Sequence, residues 1–373
     1  MARQSREAAA GPSRFPADLL PMEARSADRL PEDDGWQFEP KWDGFRCLAF
    51  RDGAEVELRA KSGKPLARYF PDVAAMLRSL PASRFVVDGE LVIAVDDGLS
   101  FDALQLRLHP AESRVRKLAA ETPASLIAFD MLMTPKGEIL LDAPLERRRA
   151  ALEAFAGNVP AGTGLTLSPF TRDRSEADSW LGRTDASVDG VVAKRLDGRY
   201  EPGERSMIKV KRLKTADCVV GGFRYGRDNR LVGSLLLGLF DDDGLLDHVG
   251  YTSTISNDER PALTKRLEAM AGPPGFTGKA PGGPSRWSTD RTGQWEPLRH
   301  ELVVEVRYDH VTGDRFRHGT KLMRWRPDKS PRQCTHEQIA SPVSTARRLI
   351  PELQPPPIAA KSGLANSRGR SSR

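Results

Sequence analysis

Paired strand-length runs joined by Asp-Gly steps constrain this chain more than any other feature. Residues 45–50 and 55–59 flank Asp52-Gly53, and residues 85–87 and 91–95 flank Asp88-Gly89-Glu90. Aspartate followed by glycine suits the positive backbone angles of a tight hairpin turn. Such pairs predict antiparallel sheets rather than a regular βαβ series, and hence a mixed α+β architecture. Residues 126–132 add another strand. Residues 144–155 predict a helix opened by Pro144, with Glu146-Arg147-Arg148-Arg149 in its charged first turns.

Beyond Lys211 the texture changes. Residues 211–216 form a short polar crossing, after which residues 216–225, 233–240, 248–252, 302–310 and 322–326 predict strands. One helix, 258–270, interrupts them, and residues 272–294, rich in Gly, Pro, Ser and Thr, predict a long loop. Five short strands with one helix fit a β-barrel OB-fold, an architecture that commonly binds oligonucleotides. The chain is too long for one compact core, so two domains are expected. The divisions are 1–14, a disordered leader; 15–211, the first domain; 212–353, the barrel; and 354–373, a flexible basic tail. There is no internal repeat.

The bulk properties exclude several classes. No apolar run approaches the roughly 20 residues of a membrane span. Residues 1–13 carry Arg3 and Arg6 but no apolar centre, unlike a secretory signal. Cys47, Cys218 and Cys334 lie far apart and are odd in number, which predicts idle thiols in a reducing cytoplasm. With 57 Lys and Arg against 51 Asp and Glu, the net charge is +6, which favours a polyanionic partner.

Chemistry gathers in an ordered series. Glu39-Pro40-Lys41-Trp42-Asp43-Gly44-Phe45-Arg46 is followed by Asp88-Gly89-Glu90, Phe129-Asp130, Asp189-Gly190-Val191-Val192-Ala193-Lys194 and Lys209-Val210-Lys211. Lys-x-Asp-Gly alone arises by chance in about one such chain in twenty, so the series carries the weight. Lys41 is the candidate nucleophile, an amine that forms a labile bond to phosphorus. It must lose its proton, and Arg46, Lys209 and a bound metal are expected to depress its pKa. Asp43 and Gly44 would shape the turn after it and let backbone approach phosphate. Glu90 and Asp189 offer paired carboxylates to Mg²⁺ or Mn²⁺, which would offset phosphoryl charge. Lys209 and Lys211 alternate, so on a strand they share one face and can reach one phosphate.

This series resembles the covalent nucleotidyltransferases, the superfamily of ATP-dependent DNA ligases, RNA ligases and mRNA capping enzymes, over about residues 16–351. The resemblance implies a nucleotidyltransferase (ATP-grasp-like adenylation) domain followed by the OB-fold. It implies that Arg46 contacts ribose or phosphate, that Glu39 lies near the base and that Glu90 also meets ribose. Phe129 would stack on adenine, offering a rigid aromatic face to a flat base. Lys194, Lys209 and Lys211 would surround the phosphates. Asp189 stands where relatives carry Glu as a metal ligand. Relatives also carry a Ser-Arg-x-Gly turn where this chain has Ala60-Lys61-Ser62-Gly63. Lys61 supplies charge without a planar fork, and Arg59 shares its face if the strand continues that far. In the barrel, Arg326-Pro327-Asp328-Lys329 resembles the terminal Arg-x-Asp-Lys motif, which meets the pyrophosphate of ATP when the barrel closes and then swings away. It follows Val303-Val304-Glu305-Val306 and Arg315-Phe316-Arg317-His318.

The wording around Lys41, and the Arg291-Thr292-Gly293-Gln294-Trp295-Glu296-Pro297 stretch, are most similar to short bacterial ligases of the C class. Only about 40 residues precede Lys41, too few for a large DNA-clamping domain. The resemblance implies an ATP-dependent DNA ligase acting on nicked double-stranded DNA in repair. It implies Ku-like and polymerase/primase partners, no membrane, a monomer, and a cytoplasmic, nucleoid-associated location. An RNA ligase or capping enzyme would share the lysine chemistry. A non-enzymatic OB-fold protein would form no covalent AMP.

Overall fold

The computed structural model describes residues 19–95, 98–182, 187–211, 214–226, 230–282, 294–340 and 345–351. The expected leader and tail lie outside them. The first region is built on two sheets. One runs in the order Glu55–Ala60, Phe45–Asp52, Arg84–Val92, Ser125–Met133, Leu165–Leu167. The other runs Ala24–Ala27, Met207–Lys211, Val188–Arg195, Trp36–Trp42. Ser125–Met133 is apolar except for Ser125 and Asp130 because both its faces are covered, and all its residues after Ser125 are buried, Asp130 in a pair with Arg148. The Leu145–Ala156 helix packs Leu152 and Phe155 into the same core as Leu126 and Ala128.

The hairpin at Asp52-Gly53 forms as expected, with Gly53 at φ +62°. The expected turn at Asp88-Gly89-Glu90 does not. Arg84–Val92 is one continuous strand, with Asp88 opposite Leu48 on one side and Asp130 on the other. Gly89 serves close approach instead of reversal: a Cβ there would stand 2.6 Å from the Ile127 carbonyl oxygen. The neighbouring pairing slips in register at that point, Asp88 facing Asp130 and Gly89 facing Ala128, which leaves Phe129 as the extra residue of a bulge.

The second region is a six-stranded sheet. Its path is Leu246–Thr252, Val232–Phe240, Lys214–Tyr225, Val303–Tyr308, Lys321–Trp325, with Glu296–Pro297 beside Lys214–Tyr225. Phe223, Leu237, Val304 and Leu267, the last from the Arg260–Ala269 helix, share its core. The polar crossing is shorter than expected, since Lys214 and Thr215 already pair with Tyr308 and Arg307. Residues 272–282 hold neither helix nor strand, and most of the remaining expected loop lies outside the described residues. After the barrel, the Thr345–Leu349 helix returns to the first region. There Ala346 and Ile350 are buried with Trp42, Val92 and Val188. Among the described residues no helix is long and apolar enough to cross a membrane.

Candidate active site

Lys41 sits one residue from the end of the Trp36–Trp42 strand, at the mouth of a cavity of about 250 Å³. Its neighbour Trp42 is buried and donates its indole N–H to Ser168 Oγ at 3.0 Å, which fixes the strand end. Antiparallel pairing sets Lys41 opposite Gly190 and therefore beside Asp189. A Cβ on Gly190 would lie 2.1 Å from the Val210 carbonyl oxygen, so only glycine admits the strand that carries Lys209 and Lys211. Gly44 likewise leaves room for the Leu91 carbonyl, 2.3 Å from where its Cβ would be.

Lys41 Nζ donates to Asp189 Oδ2 at 2.7 Å, and Lys211 Nζ lies 3.2 Å from the same oxygen. This corrects the expectation of a depressed lysine. Burial does disfavour the ammonium, but the Asp189 carboxylate, with Glu90 and Asp43 behind it, holds the Lys41 pKa above its ordinary value. Asp189 pays the cost of burial as well, yet the surrounding His310, Lys41 and Lys211 hold it well below the usual carboxylate range. Lys209 lines the cavity and pairs with none of the described carboxylates. Burial, and then the like charges of Lys41, Lys211 and Lys61, lower its pKa.

Deeper in the cavity, Glu39 is buried and accepts from Lys194 Nζ at 2.9 Å and from Gln37 Nε2 at 2.8 Å. The Phe129 ring has two cations against it, Lys194 Nζ and the Arg46 guanidinium, each 4.5 Å from its centroid. Lys194 thus belongs to the Glu39–Phe129 end of the cavity, apart from Lys209 and Lys211. Arg46 forks onto Asp88 with two bonds of 2.6 Å, and Tyr200 donates its hydroxyl to Asp88 Oδ2 at 2.6 Å. Met22 closes the ring, its N–H donating to the Tyr200 oxygen at 3.0 Å and its carbonyl accepting from Arg46 at 3.2 Å. Asp88 and Tyr200 lie inside motifs visible in the sequence, but nothing local marks them as partners.

Glu90 is half-buried on the cavity wall, and its pKa is pushed up to about 7 by burial, with the Asp88 and Asp43 charges adding to it against Arg46 and Lys41. Lys61 lines the cavity and pairs with Glu23 at 2.9 Å. Arg59 does not join it. The strand ends at Ala60, and Arg59 forks onto Glu57 at 2.5 and 2.7 Å and stacks over Phe50.

The barrel supplies two residues to which the sequence assigned no site role, His310 and, from the 315–318 stretch, Arg317. Arg317 donates to both oxygens of Asp43 at 2.7 and 2.9 Å and stacks on the Phe101 ring. His310 lies between the two site aspartates, its Nε2 3.5 Å from Asp43 Oδ2 and its Nδ1 3.4 Å from Asp189 Oδ1. Asp43, Asp189 and His310 are all buried, with potential ligand atoms within 4.8 Å of one another, a mixed oxygen and nitrogen set that fits a divalent cation. Glu90 faces the cavity outside that group. Arg326 and Lys329 are elsewhere: they bond Asp217, Arg326 at 2.8 and 3.1 Å and Lys329 at 2.7 Å, and line no part of the cavity.

The family described as "ATP dependent DNA ligase domain" matches residues 21–211, and "ATP dependent DNA ligase C terminal region" matches residues 228–329. The chain is 46% identical over 341 residues to DNA ligase C2 of Mycolicibacterium smegmatis, covering 87% of this chain and 95% of that one. It is 42% identical over 352 residues to DNA ligase C of Mycobacterium tuberculosis, covering 90% and 98%. The multifunctional non-homologous end joining protein LigD of Mycobacterium bovis is 31% identical over 306 residues, 81% of this chain and 37% of that protein. The chain belongs to the ATP-dependent DNA ligases, with a nucleotidyltransferase region followed by an OB-fold. Its reaction is the ATP-driven joining of DNA.

Proposed function

We propose that Lys41 carries the nucleotide through nick sealing in three displacements. In the first, the Lys41 amine, having lost a proton, attacks the α-phosphorus of ATP; a P–N bond forms, the bond to the β-phosphate oxygen breaks and pyrophosphate leaves. In the second, a 5′-phosphate oxygen at the nick attacks the same phosphorus, breaking the P–N bond and returning the amine. In the third, the adjacent 3′-hydroxyl loses its proton, attacks the 5′-phosphorus and expels AMP. The observation that carries this assignment is the 2.7 Å contact of Lys41 with Asp189 at the cavity, beside Lys209, which pairs with none of the described carboxylates.

The supporting roles follow from position. Phe129 stacks on adenine at the Glu39–Lys194 end, and the Arg46–Asp88–Tyr200 ring presents Arg46 to ribose or phosphate. Lys209 and Lys211 meet the α-phosphate, with Lys61 adding charge nearby. Asp189, with Glu90 as its expected companion, holds Mg²⁺ or Mn²⁺, which would offset charge on the phosphoryl oxygens. Arg326 and Lys329 meet the pyrophosphate only when the barrel turns its other face to the cavity. Residues 15–211 form the catalytic unit and residues 212–353 the barrel.

The substrate is nicked duplex DNA, and the similarity to a relative named for non-homologous end joining supports service in that repair. Ku-like and polymerase/primase proteins are then natural partners, and the cytoplasm, at the nucleoid, the place of work. The test uses a nicked duplex with a labelled 5′-phosphate strand, ATP and Mg²⁺ or Mn²⁺. The expected product is the joined strand, absent with Lys41→Ala and with a 5′-hydroxyl nick. Binding without joining, or joining of nicked RNA in preference to DNA, would overturn the proposal.

A further inference from the structure

His310 belongs to the barrel, yet its side chain is only 7% exposed and lies against two acids of the nucleotidyltransferase region. Its ring nitrogens stand 3.4 and 3.5 Å from carboxylate oxygens of Asp189 and Asp43, longer than well-formed hydrogen bonds. An imidazole gives one nitrogen to one ion, and one such nitrogen and one oxygen from each aspartate lie within 4.8 Å of one another, a spread that ligands at about 2.0–2.6 Å from a common centre can span. Three cations already face these acids: Arg317 faces Asp43, and Lys41 and Lys211 face Asp189, Lys211 being shared with Asp309.

We infer that His310 is a barrel-borne ligand, with Asp43 and Asp189, for a divalent cation that enters once Lys41 is adenylated. This rests on the assignment of Lys41 as the nucleophile. While Lys41 is an ammonium it neutralises Asp189 directly. Adenylation converts that ammonium into an uncharged phosphoramidate nitrogen and brings a phosphate anion beside it, so the group loses one positive charge and gains a negative one. A divalent cation restores the balance. Because His310 arrives only with this face of the barrel, the complete ligand set exists in this docked arrangement and is taken apart when the barrel turns away. An imidazole nitrogen among the ligands favours Mn²⁺ over Mg²⁺, which prefers an all-oxygen shell.

The full chain, adenylated with ATP and freed of nucleotide and metal, is titrated with Mn²⁺ and followed by electron paramagnetic resonance, with pulsed detection of ligand nitrogen. AMP on Lys41 is verified by intact mass beforehand, so failure of the adenylation assignment is seen separately. Wild type is expected to show imidazole coupling on bound Mn²⁺ and tighter binding than the unmodified protein. His310→Ala should lose the coupling and weaken Mn²⁺ by at least about 10-fold, the lower end of what losing even an outer partner does. His310→Asn, which keeps a polar side chain of similar reach, should also lose the nitrogen signal, and it serves if the alanine variant does not fold. Bound Mn²⁺ without imidazole coupling in wild type, or coupling and affinity unchanged in either variant, would overturn the inference. So would equal affinity in the adenylated and unmodified proteins.

Discussion

Two clusters of basic residues in this ligase look alike in sequence and differ in how they are held. Around Lys41, the cations answer carboxylates on the cavity's own strands: Lys41 on Asp189, Lys194 on Glu39, Arg46 on Asp88. Around Asp217, Arg326 and Lys329 answer a barrel acid, with Asp328 completing the knot on Arg326. The first cluster lines the cavity; the second does not. What faces the cavity from the barrel is instead His310 and Arg317. The difference teaches that in this arrangement the barrel offers the cavity side His310 and Arg317, while Arg326 and Lys329 stay on Asp217.

The largest effect that could break this contrast is at Lys41. Lys41→Ala is expected to lower self-adenylation by at least about 10³-fold while the protein stays folded. A residual rate near wild type in a stopped adenylation assay would end the assignment. Next come the two barrel arginines, which should fail in opposite steps. Arg317→Ala leaves the Asp43 carboxylate buried without its partner, a loss of about 2–3 kcal/mol in the docked arrangement after allowance for partial exposure. Sealing of a pre-adenylated nick should slow about 30–150-fold, with self-adenylation within a few-fold of wild type. Arg326→Ala should slow self-adenylation about 10–100-fold and spare pre-adenylated sealing. Matching step profiles for the two variants would erase the contrast.

Glu90 sharpens the picture of the cavity through pH. Its folded pKa of about 7 lies above the ordinary 4.5, so the folded state holds the proton more tightly than the unfolded chain. Stability from this group is therefore full below about pH 4.5 and is lost as pH rises through 7. Glu90→Gln, neutral throughout, should stabilise the nucleotide-free protein by about 1–3 kcal/mol at pH 8 and by little at pH 4.5. Denaturant melts at the two pH values check this. The smallest effect is at Tyr200. Tyr200→Phe removes one donor from Asp88 and one acceptor from the Met22 N–H, worth about 1 kcal/mol. The KM for ATP should rise about 5-fold with kcat little changed.

Much of this could be seen in the sequence, for reasons tied to range. The hairpin at Asp52-Gly53, the barrel strands and the Arg260–Ala269 helix depend on neighbouring residues, and local patterning carried them. The motif order groups Lys41, Phe129, Lys194 and Lys209, and all four line one cavity. Asp88-Gly89-Glu90 misled because Asp-Gly serves two needs: a reversing chain, and here a strand whose neighbour must come within reach. The direction of the Lys41 shift was missed because the nearest charge is an acid from a strand distant in sequence. Asp88 with Tyr200, and Asp43 with His310 and Arg317, join ordinary residue types across more than 100 positions, and pairing of that kind leaves no periodic trace.

The central claim is that Lys41 itself becomes the carrier of AMP. Intact mass of wild type and Lys41→Ala after incubation with ATP and Mg²⁺ tests it most directly, with Mn²⁺ and GTP as further arms. The account predicts an increment of one AMP on wild type with ATP and none on Lys41→Ala. An unmodified wild type under every condition, or an AMP adduct that persists in Lys41→Ala, would contradict it.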